Sequence, residues 1–371
     1  MFERVAPEIA DLAGAASAQE TLTQAGLNFV QRLRDSAGDD PALRMALARL
    51  LIKVSQTQNP GNANTVGDYE TGLKRAQQAM ELLATGSLQA SEAERLQLLW
   101  WAKFGRVQCL YGLGRFDEGV EYLVELDALL DQLEGVPDFA RQARRFRMSI
   151  RNSAGYNTIL AGRPEEAINR FLLPILSSDW ARSITNTSEG YELESLMNAN
   201  VNVATAYLFL KRFEAMIPYA DESVRIAEFL VRRFPRNARY AVGRVNCLAF
   251  QGYALMRTTE IDRGLAVLSK SREEIESLIS KDPVNDQFRL NRAITAAIQA
   301  LAFAGWSEET SAPASERRQR LAQAQAFLAD AEQFSQTAKS KEAEVHFEAA
   351  RAEVATARAK LETDEGAQPK P

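Results

Sequence analysis

The sequence predicts an all-α fold, a right-handed αα superhelix of helical hairpins repeating about every 48 residues. Three observations carry this expectation. A turn of one form recurs along the chain. It is clearest at Leu113-Gly114-Arg115-Phe116-Asp117-Glu118-Gly119-Val120 and returns at Gly67-Asp68-Tyr69-Glu70-Thr71-Gly72-Leu73 and Gly162-Arg163-Pro164-Glu165-Glu166-Ala167-Ile168. Weaker copies stand at Lys211-Arg212-Phe213-Glu214-Ala215-Met216-Ile217 and Thr259-Glu260-Ile261-Asp262-Arg263-Gly264-Leu265. The starts at 67, 114, 162, 211 and 259 are 47, 48, 49 and 48 residues apart, and a fixed period of this size marks a helical repeat array. Finally, strict apolar–polar alternation is absent, and Ala, Leu, Glu, Arg and Gln dominate the periodic segments.

The turn has a physical logic. Gly114 supplies the left-handed residue that ends a helix without a Cβ clash. Asp117 and Glu118 then place negative charge in the first turn of the next helix, where the macrodipole favours it. Phe116 is positioned to pack back across the turn as a buried ring.

Taken in order, residues 1–40 read as an N-terminal helical cap, with two helices over 3–36 broken near Gly14 to Ser17. The array then spans 41–336. Pro41 opens its first helix, with an apolar stripe at Leu43, Met45, Leu47, Leu50, Leu51 and Val54. Asn59-Pro60-Gly61-Asn62-Ala63-Asn64 is turn chemistry throughout and inserts between the two helices of the first repeat. Ser91 with Glu94 resembles a capping box and starts a helix over 92–113, paired with 116–133. The following pairs are 138–161 with 164–176, 190–210 with 213–234, 238–257 with 261–280, and 286–305 with 316–336. Ser177 to Gly190, containing Trp180, is an irregular link. Residues 337–371 hold a helix over about 340–362, rich in Ala, Glu, Lys and Arg with the polar outer face of a capping element, and a frayed tail.

Composition narrows the function. The chain has 371 residues and a formal net charge of −5, so nucleic acid is not an expected partner. Cys109 and Cys247 are too few and too far apart for a disulfide framework or a close metal pair, and read as inert core thiols. Neither a secretion signal after Met1 nor an apolar run long enough to span a membrane is seen, so a soluble, cytoplasmic protein is expected.

The recurring turn and its flanks resemble the tetratricopeptide (TPR) repeat. The turn aromatics Tyr69, Phe116 and Phe213, the small residues Gly72, Gly119, Ala167 and Gly264, the upstream Tyr207 and the closing Asp282-Pro283 carry the likeness. Pro164, Ile261 and Met216 depart from it, and the common repeat is only about 34 residues, so both helices must be longer here. A second resemblance covers the N-terminal third. Ala6-Pro7-Glu8-Ile9-Ala10-Asp11-Leu12-Ala13-Gly14-Ala15, Ala37-Gly38-Asp39-Asp40-Pro41-Ala42-Leu43 and the Asn59–Asn64 segment look like the C-terminal repeat region of large bacterial serine/threonine protein kinases. That likeness implies a regulatory or scaffolding array.

Catalytic motifs are not found. There is no His-Arg-Asp or Asp-Phe-Gly run, and Gly112-Leu113-Gly114 lacks the third glycine and preceding strand of a phosphate loop. The sole histidine, His346, excludes His-pair zinc sites and reads as a solvated helix-face residue. The arginine run Arg141, Arg144, Arg145, Arg147 and Arg151 reads as a solvated, charge-balanced face. No enzyme activity, cofactor or metal is expected.

The TPR likeness implies that the first helix of each pair lines a concave groove. Counting back from each turn, the inward positions are Trp101, Phe104, Gln108 and Tyr111, then Asn152 and Tyr156 with Arg151 beside them. Next come Asn198, Val201, Asn202 and Thr205, then Asn246, Tyr253 and Arg257. Asparagine amides donate to and accept from a peptide backbone, and arginine forks onto a carboxylate. The expected function is therefore a protein-interaction scaffold that binds a segment of a partner protein. The alternatives are the regulatory part of a bacterial serine/threonine kinase, or a small-molecule sensor using Trp101, Tyr111 and Tyr156.

Overall fold

The computed structural model describes scattered positions between 18 and 32, then residues 40–58, 67–84, 91–135, 140–258, 260–337 and 340–366. Most of the expected N-terminal helices over 3–36, most of the kinase-like segments, the Asn59–Asn64 insertion, Thr259 and the tail after 366 lie outside the described residues; the positions described between 18 and 32 are helical. Among the described residues every regular element is helical, and no helix is long and apolar enough to cross a membrane.

The elements follow their local chemistry. In α1 (Pro41–Thr57), Asp40 caps the first turn by accepting from the Ala42 N–H at 2.9 Å. α2 is Tyr69–Ala84. α3 (Glu92–Gly112) begins on Ser91, whose hydroxyl accepts from the Glu94 N–H at 3.2 Å. α4 is Phe116–Glu134 and α5 is Ala140–Leu160. α6 comprises Pro164–Glu166, a π-helical stretch Ala167–Leu172 and Leu173–Leu176. The expected regular helix is widened here because Pro174 cannot offer an N–H to the carbonyl one turn back. The link after it is not wholly irregular, since α7 (Asp179–Ser183) forms on the Ser178 cap. There follow α8 (Gly190–Phe209), α9 (Phe213–Arg233), α10 (Ala238–Met256), α11 (Ile261–Lys281), α12 (Asp286–Ser307), α13 (Ala314–Thr337) and α14 (Glu342–Gly366). Helices pack as neighbours in sequence: α1 on α2, α3 on α4, α5 on α6, α8 on α9, α10 on α11 and α12 on α13.

The turns share one geometry. Gly67, Gly114, Gly162 and Lys211 have φ of 74°, 75°, 81° and 55°. After three of them the chain bonds back across the helix end. The Arg115 N–H reaches the Leu110 carbonyl at 2.9 Å, Arg163 reaches Thr158 at 3.0 Å and Arg212 reaches Tyr207 at 3.0 Å. Phe116 is half-buried, edge-on to Tyr111 at 6.0 Å, and is less enclosed than expected.

Two helices depart from a simple hairpin pattern. α12 is buried on all sides, from Phe288, Leu290 and Ile298 to Arg292, Thr295 and Gln299, because it packs on α10, α11, α13 and α14. Its first turn also meets the start of the array: the Tyr69 hydroxyl donates to Asp286 at 2.8 Å, 217 residues away. α14 has the expected polar face on one side only. Ala343, Phe347, Ala350, Val354, Ala357 and Leu361 are buried in the core shared with α12 and α13. His346, expected on a solvated face, is fully buried. Its polar neighbours on α14 are paired with other helices, so a polar composition there does not mean exposure.

Candidate functional site

The positions picked out on α3, α5, α8 and α10 fall into two regions. Toward the helix starts, Trp101 and Phe104 are half-buried in an aromatic cluster. Trp100 stacks on Phe146 at 3.8 Å and on Phe104 at 5.0 Å, and Trp101 meets Phe146 edge-on at 5.0 Å. These rings tie α3 to α5. Asn152 is buried; its amide donates to the Ser195 carbonyl at 2.9 Å, while its Oδ1 has no partner. Asn202 donates to the Asn152 carbonyl at 3.5 Å, linking α8 back to α5. Thr205 bonds the Val201 carbonyl of its own helix at 2.8 Å. Asn246 is half-buried with an unpartnered Oδ1. Gln108, Arg151 and Asn198 are half-buried and form no side-chain hydrogen bond or ion pair with a described residue. The rest of the arginine run is engaged where it is described. Arg145 lies over the Tyr191 ring at 3.3 Å, and Arg147 meets Asp127, Asp131 and Glu134.

Toward the turns, the remaining positions converge on α14. The Tyr156 hydroxyl donates to Glu342 and lies 3.4 Å from His346 Nε2. Tyr111, 6.0 Å from Tyr156 between ring centroids, offers its hydroxyl to the same carboxylate. The His346 ring sits between Phe209 at 5.7 Å and Phe250 at 6.3 Å. Further along, Lys211 pairs with Glu353 at 2.7 Å, and Arg257 approaches the same carboxylate at 3.8 Å. Arg257 reaches it over the Phe213 ring at 4.6 Å, through a slot that exists because residue 305 is glycine. A Cβ there would lie 1.2 Å from the Arg257 Nη1. Tyr253 is buried, edge-on to Phe213 at 5.7 Å. At the head of α14, the Lys341 N–H donates to the Gly112 carbonyl at 2.9 Å.

Electrostatics follow burial. Desolvation raises the Glu342 carboxyl above its usual range, and hydrogen bonds from Tyr111 and Tyr156 offset this only in part. Both tyrosine hydroxyls are pushed up, first by burial and then by the Glu342 charge. Burial lowers His346 to about 4, so the ring is neutral, and its Nδ1 has no partner. Cys109 and Cys247 are buried and pushed up to about 12 by desolvation, which leaves little thiolate. Among the described residues no group of three or more His, Cys, Asp or Glu is placed to hold a metal ion.

Sequence reasoning missed Phe209, Lys211, Phe250 and the α14 residues Glu342, His346 and Glu353. One signal was present: Glu342, Glu353 and Asp364 stand 11 residues apart, which aligns them along one face of a helix. Chemically, the region is a cradle for a helix. It offers hydroxyls and cations to carboxylates, and aromatic faces to what lies between them. No protein-family model matches the chain, and no curated protein matches it either.

Proposed function

We propose that this chain is a non-catalytic protein-interaction scaffold, a right-handed array of TPR-like hairpins with a period of about 48 residues that binds a helical or extended partner segment in its groove. Support for the array comes from the left-handed residues at 67, 114, 162 and 211 and from the sequential packing of helix pairs. The observation that supports the binding function best is that α14, packed on α12 and α13, has its carboxylates received by side chains of the earlier hairpins, Tyr111, Tyr156, Lys211 and Arg257. Gln108, Arg151 and Asn198, which the fold leaves without hydrogen-bonding partners among the described residues, are the groups offered to a partner. In this reading the protein acts in the cytoplasm, takes no cofactor and does not bind nucleic acid, in keeping with its net charge of −5.

The test is affinity capture with the full chain, comparing wild type with the Arg151→Ala/Asn198→Ala variant. Both side chains are half-buried without polar partners among the described residues, so each truncation should cost no more than about 1 kcal/mol and both proteins should remain folded at the temperature of the assay. A partner held by wild type and lost from the variant supports the scaffold. Equal retention by both, or none by either, refutes it.

A further inference from the structure

α14 carries an acidic ruler. Glu342, Glu353 and Asp364 are 11 residues apart, about three helical turns or roughly 16 Å each. Each meets a different part of the protein: Glu342 the Tyr111 and Tyr156 hydroxyls, Glu353 the Lys211 and Arg257 cations, and Asp364 the Arg317 guanidinium at 2.8 Å. His346 fills the interval between the first two, against Phe209 and Phe250.

The seating specifies register more than it supplies strength. Buried charges and polar groups fix alignment while their desolvation offsets much of their attraction. Glu342 is desolvated, and His346 is enclosed with one ring nitrogen unpartnered. Lys211 adds a second sign. It is the one non-glycine residue with positive φ among those described, at a turn position that is glycine in three others. Its ammonium is what reaches Glu353. The left-handed conformation disfavours a non-glycine side chain, and Lys211 supplies there a cation that glycine could not.

From this we infer that the turn-end edge of the array is a docking surface for an external amphipathic helix with carboxylates at 11-residue intervals, and that α14 is the built-in occupant it displaces. The inference rests on the scaffold reading and gives the partner's chemistry. Besides its acids, the partner presents small apolar residues one position after each of the first two, as Ala343 and Val354 do, to cover α12 and α13.

The probe is a fluorescein-labelled synthetic peptide with the sequence of residues 340–366, titrated by anisotropy into full-length protein. The Glu342→Gln/Glu353→Gln protein, whose own helix is loosened, should bind it at least ten-fold more tightly than wild type. A peptide carrying the same two glutamines should bind the loosened protein at least ten-fold more weakly than the acidic peptide. Equal affinity for the two peptides, or no binding to a loosened protein that circular dichroism shows to be folded, overturns the inference. So does a loosened protein that forms a dimer the peptide cannot compete with, which would make a second copy the occupant. Should the loosened protein not fold, hydrogen exchange on wild type decides. Excess peptide should speed exchange in the chain's own 342–361 segment at least ten-fold, and no change overturns the inference. Failure of the peptide with Arg151/Asn198-dependent capture intact sinks this inference alone; peptide binding with that capture lost sinks the scaffold reading of Arg151 and Asn198 alone.

Discussion

Replacing Gly305 by alanine sets two physical effects of opposite sign against each other. Gly305 lies inside α12, and helix propensity alone makes Gly→Ala stabilising by about 1 kcal/mol. The structure predicts the reverse. The new Cβ would fall 1.2 Å from the Arg257 Nη1 and 2.3 Å from its Cζ, so the guanidinium must leave its slot. Leaving forfeits the cation–π contact with Phe213 at 4.6 Å, worth about 1–2 kcal/mol where partly desolvated. It also removes one of the two cations facing Glu353, a buried carboxylate, at about 1–2 kcal/mol. Against the propensity gain, Gly305→Ala should destabilise the fold by about 1–3 kcal/mol. Urea unfolding at unchanged m-value reads this as a lowered midpoint. In an Arg257→Ala background the slot is empty, and the same Gly305→Ala change should become stabilising by about 1 kcal/mol. A Gly305→Ala protein more stable than wild type, or a double variant showing no change of sign, would refute the argument.

Two further outcomes are expected. His346 has a folded pKa of about 4, below its ordinary 6.5, so the unfolded chain takes the proton first. Its contribution to stability is therefore constant above pH 6.5 and falls between pH 6.5 and 4, by about 3 kcal/mol in total. Glu342, shifted upward, acts in the opposite sense and loses stability as pH rises through its folded value, so the histidine is isolated by difference. The stability gap between wild type and His346→Gln, measured by urea titration, should narrow on acidification across that window, and a gap independent of pH would contradict the burial. Tyr69→Phe should cost about 1–3 kcal/mol by leaving Asp286 without this donor, and a double-mutant cycle with Asp286→Asn should show coupling. Additive effects there would mean that the first hairpin and α12 do not meet.

Much of the fold could be read from local chemistry. The expected limits of α3 to α5 and of α8 to α13 fall within about two residues of the observed ones, because caps such as Ser91, Asn237 and Asn285 and the left-handed turns are local signals. The Cys109 and Cys247 thiols were legible for the same reason, lying on apolar helix faces that the core encloses. What escaped was tertiary. Nothing near His346 in the sequence marks it for enclosure; Phe209 and Phe250, far upstream, enclose it. α12 has a hairpin helix's composition, yet Arg292 on its far side is buried because Glu276 and Asp330 arrive from α11 and α13. Of the groove positions, Tyr111, Tyr156 and Arg257 do converge, on a helix of the same chain, while Thr205 turns to its own backbone and Trp101 and Phe104 join a core between helices.

The seating of α14 also sets an order in time. Tyr156 waits for Glu342 across 186 residues, and Tyr69 waits for Asp286 across 217. At a synthesis rate of about 5–20 residues per second, Tyr156 stands without its carboxylate for roughly 10–40 s on the ribosome. During that interval α5, α8 and α10 can form from local contacts while Phe209 and Phe250 stay uncovered. A nascent chain at this stage presents an open aromatic and cationic face to the surrounding solution. In the order of synthesis α14 comes after the helices that receive it, and any chaperone or early-binding partner has that window in which to act.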